Sequence, residues 1–289
     1  MAIHILAYAA AELQIGPVLL VVPFSFAPAR SIISDVIPSS VSLKNYIGVL
    51  SGGEAFFPLK NSLLTGSYAV SVAIAVSLFV VVLDHKFRSK QTLGLGLSFM
   101  LPWILPAPFI AIGLIIAFAT LSVFISGFTP LESFWIHPVG YATVSIPLPI
   151  RFLRAAFGSL DPSQAEAARS LGATPLFRFV RVTLPAVLPV IVLIGGLQLN
   201  GLLSEYAISA FLFNVNNELL SIALFDGARS SDLKAAAINL IYMTILMSFS
   251  FVVISLVDRF GLGAGNIRPK RNAAHAKLPI VVGNCRKMA

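Results

Sequence analysis

The stretch DPSQAEAARSLGATPLFRFVRVTLP, residues 161–185, is rich in helix caps and turn signals and lies between two apolar segments. Its first half predicts a short helix. Asp161 is a favourable N-cap residue, Pro162 suits a first helical turn, and Gln164 completes a pattern similar to a capping box. Gly172 is a typical stop signal at the end of such a helix. This stretch therefore folds locally rather than serving as a slack linker.

The second half of the stretch predicts another short helix. Thr174 and Pro175 mark its cap and first turn. The helix carries Arg178 and Arg181 and runs into an apolar segment that begins at Leu184. Taken on loop chemistry alone, a basic cytoplasmic loop between two membrane spans accounts for this sequence as well as a functional element does.

The composition places the whole chain in a membrane. Of its 289 residues, 57% are hydrophobic and 11% are charged, and the mean hydropathy is +0.90. Soluble domains carry roughly 25% charged residues. The net charge of +8 is concentrated in the predicted loops, so we expect no nucleic-acid partner. One cysteine, Cys285, allows neither a disulfide within the chain nor a cysteine-based metal site.

Six apolar segments are long enough to be candidate spans, which takes about 20 residues each. The start of the chain lacks the basic region of a cleaved signal peptide and is interpreted as part of the first span. We expect an all-α membrane protein with residues 1–60 as first span and outer loop, 61–257 as the core, and 258–289 as a basic, poorly ordered tail. The predicted spans are residues 3–26, 63–83, 93–122, 134–150, 184–203 and 235–257.

The distribution of positive charge predicts the orientation. The turn 84–92, the loop 151–181 and the tail carry three, five and seven Lys and Arg residues, together 15 of the 20 in the chain. Cytoplasmic loops are the ones enriched in Lys and Arg. These three segments are therefore predicted to be cytoplasmic. Since six is an even number of spans, both termini are predicted to lie on that same side.

The spacing within the central stretch carries a family resemblance. Residues 166–168 are EAA, three residues separate them from Gly172, and after nine more come Val182, one residue and LP at 184–185. This resembles the EAA loop of the membrane-spanning subunits of binding-protein-dependent ABC importers. The departure is Val182, where that family usually has Ile.

The resemblance implies the type I importer permease (MetI-like) fold, in the bacterial inner membrane. In that family the loop forms a coupling helix that docks into a groove on a cytoplasmic P-loop ATPase dimer. The other implied partners are a second permease subunit, either a copy or a paralogue, and an extracytoplasmic solute-binding protein; no cofactor is expected. The residues expected to couple to the ATPase are Ala165, Glu166, Ala167, Ala168, Gly172, Pro175 and Arg178.

The sequence lacks the motifs of an enzyme. It contains no GxxxxGK[ST], no HExxH and no GxSxG pattern, so ATP hydrolysis has to come from another polypeptide. A secondary transporter driven by an ion gradient is the alternative from another class, but it would need more spans, an internal repeat or several intramembrane charges. A membrane-anchored assembly subunit would have no need of an ATPase-docking loop.

Residues 61–257 most resemble the permeases for polyamines, ferric iron, aminoethylphosphonate and thiamine, on LPWILPAP at 101–108, the 165–185 stretch and Ser-Glu-Tyr at 204–206. The candidate pathway residues are Trp103, Pro106, Glu205 and Tyr206. An ionisable group at membrane depth usually has a partner or a function. Glu205 therefore suggests a polyamine-like cationic solute, unless it is structural and paired with another subunit. Trp103 is alternatively a residue of the interfacial aromatic belt.

Overall fold

The computed structural model describes residues 2–34, 38, 40–87, 90–124, 133–213 and 217–259, and these form helices joined by turns. A 3₁₀ turn at Leu101–Trp103 and a π-helical turn at Phe179–Thr183 interrupt the α-helices. The α-helices in this part of the chain are α1 (Ala2–Ser25), α2 (Ser31–Ser34), α3 (Lys44–Leu50), α4 (Phe56–Phe87), α5 (Lys90–Ser98), α6 (Ala107–Phe124), α7 (Ile136–Ser145), α8 (Pro147–Gly158), α9 (Pro162–Ser170), α10 (Pro175–Arg178), α11 (Leu184–Leu203), α12 (Ala207–Phe211), α13 (Leu220–Arg229) and α14 (Leu233–Arg259).

Several of these helices have the length and hydropathy of membrane spans. Within the described residues they are Phe56–Phe87, the continuous segment Pro175–Leu203, and Leu233–Leu256. A fourth candidate is a bent pair, Gly94–Trp103 with Ala107–Thr120. The all-helical membrane fold is confirmed, whereas the count of six spans stays a prediction.

The span predicted over residues 93–122, whose prolines at 102, 106 and 108 indicate a kinked or broken helix, is sharply bent in the structure. The two helices in this run meet at an angle of 108°. Pro106 and Pro108 have no backbone N–H, so the helical ladder cannot continue through them. The chain instead closes short turns, with the amides of Trp103 and Ile104 donating to Met100 and Leu101. The bend brings Trp103 to the surface, with 51% of its area exposed.

The span predicted over 134–150 also differs from the structure, because helix α8 continues to Gly158. Arg151 and Arg154 therefore lie on a helix and not in a loop. A further difference is α13, which lies within residues 214–234, predicted to be a polar loop. The short helices α2 and α3 lie in the first outer loop, for which short amphipathic or irregular structure is expected. Residues 214–216 and the basic tail from 260 onward, with Cys285, lie outside the described residues.

The break between α7 and α8 is held by neighbouring helices. Pro149 cannot donate to the carbonyl of Ser145, four residues earlier. The side-chain amide Nε2 of Gln198, on α11, donates to that carbonyl at 2.5 Å. The hydroxyl of Ser77, on α4, donates to the carbonyl of Ile146 at 3.2 Å. Proline breaks inside a bilayer need such substitutes, since no water is there to satisfy the backbone.

Helix α4 is the centre of the bundle. It contributes buried residues to all three apolar clusters: Leu59 near its start, Ala69 and Val70 in the middle, and Val80 and Val81 near its end. Its other buried positions are largely small, which lets α7, α8 and α11 approach closely. The partner helices of α4 include both helices that flank the 161–185 loop, so the loop is attached to the core of the molecule.

Candidate functional site

The loop 161–185 has the local structure that its sequence predicts. The carboxylate of Asp161 accepts from the backbone amide of Ser163 at 2.9 Å, which caps α9. The hydroxyl of Thr174 accepts from the amide of Phe177 at 3.3 Å, which caps α10. Because a capping side chain, Asp161 or Thr174, fixes the start of each helix, the loop has a defined shape.

Gly172 ends α9 in the left-handed conformation, with φ of +79°. Its amide donates to Arg169 and that of Ala173 to Ala168, the pattern of a Schellman stop. A residue with a Cβ would be sterically strained at this φ, which explains why a glycine occupies position 172. The predicted stop signal is confirmed.

The second helix of the loop is continuous with the next membrane span. Helix α10 passes through the π turn Phe179–Thr183 into α11, and the segment Pro175–Leu203 runs without a break. The amide of Leu184 donates to Phe179, five residues back, where an α-helix would use the residue four back. Pro185 has no amide to donate, which favours such an irregular turn at this place. The second helix of the loop and α11 are thus parts of one continuous helical segment.

The candidate coupling residues differ in how far they are exposed. Glu166, Ala167, Gly172 and Pro175 are exposed, while Ala168 and Arg178 are half-buried. Ala165 lies on α9 with them. The structure therefore brings the seven predicted residues together on α9, its stop and the start of α10.

The same loop presents apolar residues that the sequence pattern did not single out. Leu171 is 88% exposed, and Leu176 and Phe177 are 72% and 55% exposed. They flank the turn at Gly172. In sequence, Leu171 is indistinguishable from a core residue of an amphipathic helix; the direction of its side chain follows from the turn that comes after it.

A cavity of about 520 Å³ lies between this loop and the end of α4. Its charged or titratable lining residues are His85, Lys86, Asp161, Glu166, Arg169 and Arg178. The Nε of Arg178 is buried and has no hydrogen-bond partner among the described residues. The backbone amide of Ser163, followed by its side chain, lowers the pKa of Asp161 below its ordinary value. A charged Asp161 is thus the form that caps α9.

Trp103 and Pro106, two of the candidate pathway residues, lie together at the bend between α5 and α6. Both are exposed. The guanidinium of Arg151, on α8, lies 4.0 Å from the centre of the Trp103 ring, which is a cation–π contact. No pattern in the sequence predicts this pair, since 48 positions separate the two residues.

Glu205 and Tyr206, the other two candidates, occupy the break between α11 and α12. The Oε1 atom of Glu205 accepts from the amides of Ala207 and Ile208 at 2.9 and 3.3 Å. Glu205 therefore caps α12, a structural role inside its own chain that the sequence reasoning missed. The ring of Tyr206 lies 4.5 Å from that of Phe225 on α13.

A buried hydroxyl network fixes this break. Tyr141, on α7, donates to or accepts from the hydroxyl of Ser209 at 2.6 Å and contacts the carbonyl of Glu205 at 3.1 Å. Ser221, on α13, donates to Ser209 at 3.0 Å. The break is thus a built feature of the fold. The four pathway candidates thus lie as two pairs, one at the bend between α5 and α6 and one at this break, and α6 and α12 contribute to the same apolar cluster.

Comparison with known proteins identifies a transport family and several similar proteins. Residues 85–261 match the family described as binding-protein-dependent transport system inner membrane component. The probable ABC transporter permease protein y4fN of Sinorhizobium fredii is 48% identical over 258 residues, which is 89% of this chain and 45% of that protein. The chain thus spans less than half the length of this relative.

Two more distant proteins share most of their length with the chain. The putative 2-aminoethylphosphonate transport system permease protein PhnV of Salmonella paratyphi A is 24% identical over 217 residues, 74% of this chain and 80% of that protein. A crystal structure of a bacterial ABC transporter involved in the import of the acidic polysaccharide alginate superposes with a TM-score of 0.67 at 16% identity, covering 90% of this chain and 95% of that one. The latter shows a shared fold. The chain is an integral membrane protein that belongs to the binding-protein-dependent transport system inner membrane component family.

Proposed function

We propose that this chain is the permease subunit of an ABC importer and forms part of the pathway for a small solute. The observation that carries the proposal is the 161–185 loop: both of its helices are capped, most of its described residues are exposed, and it is continuous with a span through Pro175–Leu203. A loop of this shape transmits force between a docked partner and the membrane bundle. The family match supports the same assignment.

The proposed partners follow from that role. A cytoplasmic P-loop ATPase dimer docks on the exposed face of the loop, and an extracytoplasmic binding protein delivers the solute. A second permease subunit completes the pathway; the matched region is under half of the y4fN relative, as expected if that protein holds two such units. The charge asymmetry supports a cytoplasmic loop and cytoplasmic termini in an inner membrane.

Affinity purification from detergent-solubilised membranes tests this proposal, with the accompanying chains identified by mass spectrometry. We expect a P-loop ATPase and a permease in matching amounts. A well-folded chain that is recovered alone overturns the proposal. Ion-gradient-driven uptake in proteoliposomes of the purified chain would then establish the secondary-transporter alternative.

For the solute, we propose a small cationic molecule that carries an ammonium group, with polyamines as the first class and 2-aminoethylphosphonate, ferric iron and thiamine as alternatives. Glu205 supports this class. Both hydrogen bonds that its side chain makes in the described part of the chain go to Oε1, so the cap leaves the negative charge of the carboxylate in place. Its side chain is half-exposed at a break within an apolar region.

Two substitutions separate the charge of Glu205 from its cap. Glu205→Gln keeps an oxygen that can accept from the amides of Ala207 and Ile208 but removes the charge. Glu205→Ala removes both. With radiolabelled putrescine and 2-aminoethylphosphonate as probes in proteoliposomes of the complex, Glu205→Gln should lower uptake with assembly unchanged. Uptake by Glu205→Gln equal to that of the unmodified chain, with loss confined to Glu205→Ala, makes the residue structural only.

A further inference from the structure

One ion pair connects the helix that leads into the 161–185 loop with the end of the central helix. Arg154, on α8, lies about two helical turns before the cap residue Asp161. Its Nη2 atom is 3.2 Å from Oδ2 of Asp84, in the last turns of α4. The two side chains are 29% and 25% exposed, so the pair is sheltered from water on most sides. Sheltered pairs are screened less by salt than exposed ones.

A glycine of a third helix makes room for the same guanidinium. Gly96 lies on α5, and a Cβ built on it would overlap with Nη2 of Arg154. Gly96 is itself buried. The contact with Asp84 lacks the alignment of a hydrogen bond, and Nε of Arg154 is also buried without a partner in the described part of the chain. The arginine is therefore held by charge and by the shape of its seat.

A ring contact lies next to this pair. Phe157, one turn after Arg154 on α8, is almost fully buried, and its ring centre is 5.8 Å from that of His85 on α4. The two contacts together join the last two turns of α8 to the last turn of α4. Since α4 contributes to all three apolar clusters, these contacts join the loop to the core of the bundle on the α8 side.

We propose that Arg154, seated on Gly96 and paired with Asp84, is the positioning residue that makes the 161–185 loop and helix α4 move as one body. The proposal rests on the proposed function, in which an ATPase displaces the loop. Without this pair, the end of α8 that leads into the loop is joined to α4, within the described part of the chain, by apolar and ring contacts, which are non-directional and allow the helices to slide. With it, a displacement of α9 reaches α4 as well as α11.

Gly96→Ala is the sharpest variant for a test. The added methyl group meets the far end of a flexible side chain, so it displaces the guanidinium without forcing the backbone apart. Gly94→Ala is the matched control, because Gly94 lies on the same helix and has open space around its Cβ position. Both changes raise helix propensity alike. Asp84→Asn removes the charge partner and gives an independent second variant.

The readout is the distance between two spin labels, at Lys60→Cys near the outer end of α4 and at Ser163→Cys on α9, in a Cys285→Ser background. Both positions are exposed. The 24 residues from Lys60 to Asp84 span about 36 Å of helix, within range of pulsed electron spin resonance. In the complex, we expect one narrow distance that is the same without nucleotide and with ATP and vanadate. Gly96→Ala and Asp84→Asn should broaden it and make it nucleotide-dependent, with thermal unfolding unchanged.

Equal, narrow distributions in Gly96→Ala, Asp84→Asn and Gly94→Ala overturn the inference. So does a nucleotide-dependent distance in the chain that keeps Gly96 and Asp84. A failure of the proposed function is distinguishable, because then no ATPase accompanies the chain at all. The distance distributions of the isolated chain without nucleotide still decide whether the pair holds the loop.

Discussion

Gln198 shows how a single side chain makes a proline break tolerable inside an apolar bundle. Its Nε2 donates at 2.5 Å to the Ser145 carbonyl that Pro149 leaves without a donor. Both groups lie between packed helices, so water cannot take over this role. A carbonyl buried without a partner costs about 1–3 kcal/mol.

Gln198→Leu should therefore lower the free energy of unfolding by about 1–3 kcal/mol, measured by SDS titration of the protein in mixed micelles. Ser204→Ala is the control, since its hydroxyl donates only within its own helix, to Gly201. We expect that variant to have the same free energy of unfolding as the unmodified chain. A Gln198→Leu protein as stable as the control would mean that the Ser145 carbonyl is satisfied in another way.

Asp161 gives the loop a dependence on pH. Because the amide of Ser163 lowers the pKa of this carboxyl below its ordinary value of 3.8, the folded helix binds fewer protons than the unfolded one. Its contribution to stability is complete above the ordinary value and is lost as the pH falls through the lowered pKa. A nitroxide at Ser170→Cys, in a Cys285→Ser background, should report increasing motion of α9 as the pH falls through the lowered pKa of Asp161. Asp161→Asn keeps a cap without a titrating group, so its spectrum should not change with pH there.

At the scale of whole elements, the sequence predicts features made by residues that are close in the chain. It does not predict the directions in which helices pack against one another. The caps at Asp161 and Thr174 and the stop at Gly172 were predictable, because each is made by residues within a few positions. The prolines at 102, 106 and 108 indicated an interruption, but not a bend of 108°, which depends on how α5 and α6 pack on the bundle. The seat of Arg154 on Gly96 was not predictable for the same reason.

The close packing of helix α4 depends on its small buried residues, so enlarging one of them should destabilise the protein. Ala73 is fully buried in this helix, whereas Ala75, two positions on, is exposed. Ala73→Leu should force the neighbouring helices apart at a cost of about 1–3 kcal/mol in the free energy of unfolding. Ala75→Leu, the same change on the exposed side, should be close to neutral. Thermal unfolding in detergent compares the two, and equal midpoints would contradict the central position assigned to α4.

On the scale of the whole molecule, exposed apolar side chains have two different settings. Most lie on the long helices, where lipid or another subunit covers them. Leu171 and Leu176 lie instead on the polar 161–185 loop, beside the exposed Glu166 and Ala167. A single exposed apolar residue needs no explanation, but a cluster on a rigid loop marks an interaction surface. The motif pointed to the loop, and the structure adds exposed apolar residues beside the motif.

The double variant Leu171→Ser, Leu176→Ser should therefore weaken binding of the ATPase proposed to dock on this loop. Burying one leucine contributes about 1.5–3 kcal/mol, and each 1.4 kcal/mol is about a tenfold change in Kd. We expect at least about a tenfold rise in Kd for the ATPase co-purified with the unmodified chain, titrated against the variant in nanodiscs. Leu50→Ser, a similarly exposed leucine on α3 far from the loop in sequence, is the control. An unchanged Kd would remove these leucines from the docking face and leave the contact to the residues of the EAA-like motif.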